Sequence, residues 1–210
     1  MKKIFLLFAV LCLVASNAAA QLEKGNFMLG ATSTIAMGGG WDSELMSLYF
    51  AKTKYKQGST TEDAFKTTAY NFLPKAGYFI IDNLVAGLEV LVTGYIEKEI
   101  GDDVPYKQTF MAVGPFVRYY YPLDRIYPFA EIETLFGAEK EGYSDDMEKS
   151  GIFLFSGSLG VAVPLGEKVT FDAQAGYTRI TDTWKNEGGE EDSKLITGGF
   201  EIRLGFSIYL

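Results

Sequence analysis

The sequence predicts an all-β protein, a transmembrane up-and-down antiparallel β-barrel of eight strands with long extracellular loops and short periplasmic turns. Three observations support this fold class. Apolar and polar residues alternate with a period of two, as in strands whose two faces meet unlike surroundings. Aromatic residues make up 15% of the chain and glycine occurs 23 times, a composition typical of strands and turns. The predicted connections alternate between long and short.

Residues 1–20 are predicted to be a signal peptide that is cleaved, and residues 21–210 to form one outer-membrane β-barrel domain with no second domain after it. Lys2 and Lys3 precede an apolar stretch over residues 4–14, and small residues end at Ala20, which fits export and cleavage there. The apolar stretch is too short to cross a bilayer as a helix. A lipid anchor at Cys12 is not expected, because the residue before it, Leu11, is not small.

The mature chain is acidic and contains neither histidine nor cysteine. The 19 basic residues include Lys2 and Lys3, so 17 remain against 27 acidic residues, a net charge of −10. This charge argues against nucleic acid as a partner. The chain has no histidine, and its one cysteine lies in the leader, so disulfides are not expected.

Eight strands are predicted, and their connections sort by length. The strands lie at 26–36, 66–80, 84–97, 108–121, 127–138, 151–164, 168–181 and 196–210. The long connections are 37–65, 98–107, 139–150 and 182–195, and the short ones are 81–83, 122–126 and 165–167. In an up-and-down sheet alternate connections lie at opposite ends, so all long ones share one end, as in transmembrane barrels. Pairing of residues 45–55 with a neighbour would instead make ten strands.

The polar face of the strands carries small or charged residues, which we expect to line a narrow lumen. An eight-stranded barrel is only wide enough inside for side chains. The predicted interior charges are Lys75, Glu89, Arg118, Glu131, Glu133, Asp172, Glu201 and Arg203. Because buried charges need partners, we expect a salt-bridge network that fills the lumen. The alternative is a narrow ion pathway through the same charges.

Aromatic residues cluster near the strand ends and are predicted to form two bands at the membrane interfaces. The residues near the short turns are Tyr78, Phe79, Tyr119, Tyr120, Tyr121 and Tyr127, and those toward the long loops are Tyr95, Tyr106, Phe110, Phe136 and Tyr177.

The last strand alternates without a break over residues 200–210, and Leu210 lies on its apolar face. Termini fray unless something holds them. We therefore expect this strand to pair with the first strand near residues 27–35 and to close the barrel.

Three stretches carry a resemblance to a known family: Pro-Lys-Ala-Gly-Tyr-Phe at 74–79 with Asp-Asn-Leu at 82–84, Gly-Pro-Phe-Val-Arg-Tyr-Tyr at 114–120, and the C-terminus. With them the chain resembles the small eight-stranded outer-membrane β-barrels of the OmpA transmembrane-domain and OmpX type. The resemblance implies a C-terminal signal for the barrel-assembly machinery, formed here by Arg203, Gly205, Ile208 and Leu210. The usual terminal aromatic residue is Leu210 in this chain.

The resemblance implies a place in the outer membrane of a Gram-negative cell envelope, with both termini periplasmic. The implied partners are outer-membrane lipids and lipopolysaccharide, with the barrel-assembly machinery during biogenesis. A monomer is expected, and a partner of the extracellular loops stays open. The implied function is non-enzymatic, structural or surface-interacting, with a narrow porin-like channel for ions or small solutes as the alternative.

No catalytic residue, cofactor or metal site is predicted. Similar small barrels that are enzymes use a histidine, which this chain lacks. Glu131 and Glu133 share a strand face and could act as acid and base, but interior ion pairing is the preferred interpretation. Acidic loop residues at 102–103, 145–146 and 187–192 could bind Ca²⁺ or Mg²⁺, although no liganding motif of fixed spacing appears there. The first loop, 37–65, is the expected place for an adhesion or partner site.

Overall fold

The computed structural model describes residues 22–37, 48–57, 60–101, 103–121, 123, 125–143, 146–185 and 193–210. These residues form nine antiparallel strands: β1 (Phe27–Met37), β2 (Leu48–Gln57), β3 (Thr60–Ile81), β4 (Leu84–Glu99), β5 (Tyr106–Tyr120), β6 (Tyr127–Tyr143), β7 (Asp146–Pro164), β8 (Val169–Trp184) and β9 (Ser193–Tyr209). Within the described ranges, no helix is long and apolar enough to cross a membrane.

The sheet closes on itself into an eight-stranded barrel, which confirms the predicted fold class. Its order is β1-β9-β8-β7-β6-β5-β4-β3-β2, and β1 also pairs with β3. β1 pairs with the part of β3 near the turn to β4, from Phe27 opposite Tyr78 to Thr32 opposite Leu73. β2 pairs with the remainder of β3, from Leu48 opposite Tyr70 to Gln57 opposite Thr60. β1 and β2 therefore occupy one position around the barrel, so residues 48–57 do pair with a neighbour but add no ninth or tenth position.

The alternation of residues places one set of apolar side chains outside, whereas the inward set carries the buried charges together with further, buried apolar residues. In β5, residues from Phe110 to Tyr120 alternate strictly between buried and exposed. Phe200, Ile132 and Leu159 on the outer face are 76%, 58% and 71% exposed. Exposed apolar area on this scale is expected only where it meets a partner or lipid. The period of two in the sequence thus reflects an enclosed lumen that holds the charges on one side of the sheet and an apolar environment on the other.

The strands are longer than predicted at the end of the barrel that carries the predicted long loops, which we call the mouth. Residues 139–143 and 146–150, predicted as loop, pair with each other as the hairpin β6–β7. Residues 182–184 pair with 193–195 in the same way. The apolar–polar contrast ends where the bilayer would end, but main-chain pairing continues beyond it.

The opposite end, which we call the turn end, carries the short connections and both described termini. Asn83 in the β3–β4 turn has a φ of 67°, a conformation that asparagine tolerates. Its amide donates to the carbonyl of Leu22 at 2.6 Å, while the amide of Lys24 donates to the Asp82 carboxylate at 2.8 Å. The segment after the predicted leader is thereby held against the turn end.

Six aromatic residues predicted for the interface bands face the barrel interior instead: Phe79, Tyr95, Tyr106, Phe110, Tyr120 and Tyr127. Tyr95 and Tyr106 line a cavity at the mouth, and Tyr127 packs against buried residues at the turn end. Phe79 and Tyr120 are 0% exposed and Phe110 is 4% exposed. Each follows the parity of its strand, since Tyr120 lies two residues after Arg118 on the same inward face. Tyr78, Tyr119 and Tyr121 are exposed at the turn end.

Candidate functional site

The eight charged residues predicted for the interior all face the lumen, and each exposes 3% or less of its surface. They form a continuous chain of ion pairs that crosses the barrel, which we call the ion-pair network. Asp172 contacts Arg118 at 2.6 Å, and Arg118 contacts Glu131 at 2.6 Å. Lys75 then contacts Glu131 at 2.8 Å and Glu89 at 3.0 Å.

Arg203 continues this chain toward the mouth. Its guanidinium lies 4.0 Å from Glu89, 2.6 Å from Glu133 and 2.7 Å from Glu201. Glu201 also accepts hydrogen bonds from Ser156, at 3.1 Å, and from Thr178. Negative and positive groups therefore alternate along the axis, the arrangement in which buried charges best offset their loss of hydration.

Hydroxyl groups anchor the network at the turn end. Asp172 accepts from Thr170 and from Ser207, each at 2.7 Å, in addition to its pair with Arg118. Arg118 donates to the Tyr120 hydroxyl at 3.0 Å, and Tyr209 donates to the same hydroxyl at 3.1 Å. The Asp172 carboxylate thus has partners for both oxygens.

The strand register explains why these residues meet. Lys75 pairs across β3 and β4 with Glu89, and Arg118 pairs across β5 and β6 with Glu131. Gly30 on β1 lies beside Lys75, and a Cβ there would lie 3.1 Å from the Lys75 Cγ. The glycine leaves the room that the long lysine side chain needs to reach the axis.

The oxygens of Glu89, Glu131 and Glu133 lie within 4.8 Å of one another, which is a spacing that a metal ion could use. Lys75 bridges Glu89 and Glu131, and Arg203 contacts Glu133. Side-chain cations of the protein therefore already contact all three carboxylates of this triad, and it carries no metal-site proposal.

Apolar clusters pack on both sides of the network. Nine buried residues form the cluster at the turn end: Leu22, Met28, Phe79, Val85, Phe116, Tyr120, Phe129, Ala162 and Tyr209. Eight form the cluster toward the mouth: Leu73, Leu91, Phe110, Ala112, Leu135, Ile152, Leu154 and Ile180. The aromatic rings at the turn end also contact the charges, since the Arg118 guanidinium lies 4.0 Å from the centre of the Phe129 ring. The network is therefore enclosed in surroundings of low polarity.

A cavity of about 580 Å³ lies at the mouth, above the second cluster. We call it the mouth cavity. The sequence prediction missed its acidic residues, Glu139, Glu141 and Asp182, because it ended β6 at residue 138 and β8 at residue 181. Glu139 and Glu141 continue the odd-numbered inward set that includes Glu131 and Glu133, so a longer strand assignment would have found them.

Hydrogen bonds hold two of these carboxylates. Gln108 donates to Glu139 at 2.6 Å, and Tyr106 donates to Glu141 at 2.9 Å. Tyr106 is the first residue of β5. A tilted strand crosses the bilayer with roughly 11 residues, and counted back from the turn end of β5 these leave Tyr106 outside the membrane. Burial and the Glu141 carboxylate together raise the pKa of Tyr106 to about 12, and burial raises the pKa of Glu139. The tyrosine hydroxyl therefore stays a hydrogen-bond donor at physiological pH.

The proposed assembly-signal residues lie on β9 and just after it. Arg203 and Gly205 face inward, whereas Ile208 and Leu210 lie on the outward face. Gly205 lies against β1, where a Cβ would meet the carbonyl of Ala31. Leu210 exchanges two main-chain hydrogen bonds with Phe27, each of 2.9 Å. These bonds fasten the end of the chain to the start of β1.

A closed antiparallel barrel with an apolar outer face and a charged, filled lumen defines the class of transmembrane outer-membrane barrels. The family model for the outer membrane protein beta-barrel domain matches residues 6–207. The chain belongs to this family, whose place is the bacterial outer membrane. This confirms the predicted resemblance to small eight-stranded outer-membrane barrels.

The chain is also similar to proteins of solved structure. Neisserial surface protein A is 14% identical, with a TM-score of 0.50, and the match covers 88% of this chain and 97% of that chain. Outer membrane protein W of E. coli is 14% identical, with a TM-score of 0.49, and the match covers 90% of this chain and 99% of that one. At 14% identity, the similarity to Neisserial surface protein A shows the fold alone. No curated protein sequence matches this chain significantly.

Several predictions concern residues outside the described ranges. The leader at 1–20 is among them, as are the acidic residues at 102, 145 and 187–192 and the loop residues 38–47. These stay predictions.

Proposed function

We propose that this protein is a non-enzymatic integral outer-membrane barrel with a structural or surface-interaction role. The observation that carries this proposal is the ion-pair network, which spans the lumen between two apolar clusters. Three cationic and five anionic side chains meet there at distances between 2.6 and 4.0 Å. Such a packed interior supports a barrel that does not conduct.

The non-enzymatic part of the proposal is supported by the surroundings of Glu131 and Glu133, the carboxylate pair with the spacing of an acid and a base. Each is 2% exposed, and both contact cationic side chains. A general acid or base must reach the proton that it transfers, and these carboxylates are enclosed within the barrel. Contact with lipids and lipopolysaccharide, use of the assembly machinery and a monomeric state belong to the same proposal.

The alternative is a narrow channel for ions or small solutes. The mouth cavity supports it, because the cavity reaches down to Glu201 and Arg203 at the upper end of the network. Ions could then pass only if the network itself opened.

Planar-bilayer recording separates the two functions. We expect the refolded protein, with its insertion checked by heat-modifiable migration on gels, to give no discrete current steps above the lipid baseline in concentrated KCl. Stepwise currents that scale with the amount of inserted protein would refute the closed barrel and favour the channel.

A further inference from the structure

The mouth cavity has the size and lining of a binding site for a small molecule. Its volume of about 580 Å³ lies within the range of ligand pockets, roughly 300–1,000 Å³. Leu73, Leu91 and Phe110 belong to its apolar floor, and the rings of Tyr95, Tyr106 and Trp184 contribute to its wall. An apolar group would find a matching surface there.

The charges of the cavity favour a cation. Four carboxylates line it, from Glu139, Glu141, Asp182 and Glu201, and Arg203 is the only cationic side chain among the described residues of its wall. Arg203 already contacts Glu133 at 2.6 Å and Glu201 at 2.7 Å. A positive ligand would therefore meet an excess of negative charge that the protein leaves unmatched.

The neighbouring lysines do not supply this charge, because they face outward. On β6, Lys140 lies between the two inward glutamates and is exposed, and Lys149 pairs with it from β7 and is exposed as well. At this end of the barrel the strands thus separate their charges, with acids inside and bases outside. Cross-strand packing alone would favour a lysine opposite a glutamate, since like charges directly across a sheet are unfavourable.

Asp182 is the residue of the cavity that indicates a bound ligand. It exposes 2% of its surface and lines the cavity, and its Oδ1 has no hydrogen-bond partner among the described residues. Its cross-strand neighbours, Ile152 on β7 and Leu195 on β9, are uncharged. A buried carboxylate oxygen without a partner is costly, so it persists most readily where a ligand supplies the missing donor.

We propose that the mouth cavity binds an organic ammonium ion that carries an apolar group, with Asp182 as its counter-ion. The apolar group packs on the floor, and the ammonium lies against Asp182 with aromatic faces beside it, which attract cations. This inference goes beyond the proposed role of the barrel, because a closed barrel would serve a structural role equally well with no ligand.

Proton uptake by Asp182 adds a pH dependence to this site. Burial raises the pKa of Asp182 to about 6, with smaller contributions from Glu139 and Glu141. The carboxyl is therefore charged at pH 7.5 and largely neutral at pH 5. Binding of the cation should weaken by about tenfold between these two values.

The test is titration of the protein in nanodiscs with benzyltrimethylammonium chloride. Binding is measured by calorimetry and, in a Trp41→Phe background, by the change in Trp184 fluorescence emission. We expect tetramethylammonium, which lacks the ring, and benzyl alcohol, which lacks the charge, to bind at least about tenfold more weakly. Benzenesulfonate, with the opposite charge, should not bind.

Asp182→Asn tests the counter-ion, and Asp103→Asn is its matched control. Asp103 is exposed near the same end and does not line the cavity. We expect Asp182→Asn to weaken benzyltrimethylammonium binding by about tenfold or more and to abolish its pH dependence, while Asp103→Asn binds as the wild type does. Equal affinity in Asp182→Asn and wild type, or binding of benzenesulfonate as tight as that of the cation, would overturn the proposal. Neither result changes the conductance outcome, so the two proposals can fail separately.

Discussion

At the residue scale, Arg118 is the centre of the barrel interior. It is 0% exposed, contacts Glu131 and Asp172 at 2.6 Å each, and lies over the Phe129 ring. Removing one member of a buried ion pair leaves the other charge uncompensated. Loss of Arg118 therefore costs stability mainly through the charge that remains on Glu131 and Asp172.

We predict that Arg118→Met lowers the free energy of unfolding by about 3 kcal/mol or more, because the buried carboxylates of Glu131 and Asp172 each lose a cationic contact. Urea unfolding of the protein in lipid vesicles measures this. Arg118→Met combined with Asp172→Asn should cost less than the sum of the two single changes, because they share one interaction.

The control is Lys140→Met, which removes an exposed cation and should change stability by less than about 0.5 kcal/mol. If Arg118→Met unfolded at the wild-type urea concentration, the ion-pair network would not stabilise the barrel, and its proposed role would be wrong.

At the scale of the strands, β3 combines two environments. Its residues 73–78 pair with β1 on one side, and most of them pair with β4 on the other, whereas residues 60–63 pair only with β2. The pairing of β3 with β4 begins at Phe65 opposite Glu99. The end of the β2–β3 hairpin thus extends beyond the rest of the sheet.

Amides of β3 residues 61–63 should exchange with deuterium at least about a hundredfold faster than those of residues 75–79, because strand pairs with few neighbours open locally at lower cost. Hydrogen-exchange mass spectrometry of the protein in nanodiscs measures both segments in one strand, so each serves as the control for the other. Equal protection would mean that the hairpin end is covered by another part of the molecule.

At the scale of the whole molecule, barrel closure depends on β9. It pairs with β1 over Met28–Met37 and with β8 from Ser193 to Ile208. Leu210 adds two main-chain bonds to Phe27, and its side chain is 42% exposed on the lipid-facing side. A deletion of this residue would remove both the bonds and the proposed assembly signal.

Leu210→Asp separates these two contributions, since it keeps the main chain. We expect both Leu210→Asp and deletion of Leu210 to reduce the amount of the heat-modifiable form in membranes. The reduction should be larger than that caused by deletion of a loop. Leu165→Asp is the control, because Leu165 is an exposed apolar residue at the turn end outside the proposed signal. Normal insertion of both Leu210 variants would refute a role for this residue in assembly.

Much of this protein follows from its sequence alone. The inward face of each strand is set by a period of two, so the parity of the residue numbers is enough to assign the eight interior charges. The eight-stranded barrel could be predicted for a related reason, since few other folds combine an apolar outer face with connections that alternate between long and short.

The tertiary structure decided what depends on closure. Which charges meet is set by distances across the lumen, such as that between Lys75 on β3 and Glu131 on β6, and no local pattern encodes them. The strand ends at the mouth follow main-chain pairing, which continues past the bilayer where the apolar signal stops. For this reason the position of Asp182, and the cavity that it lines, became visible only in the folded barrel.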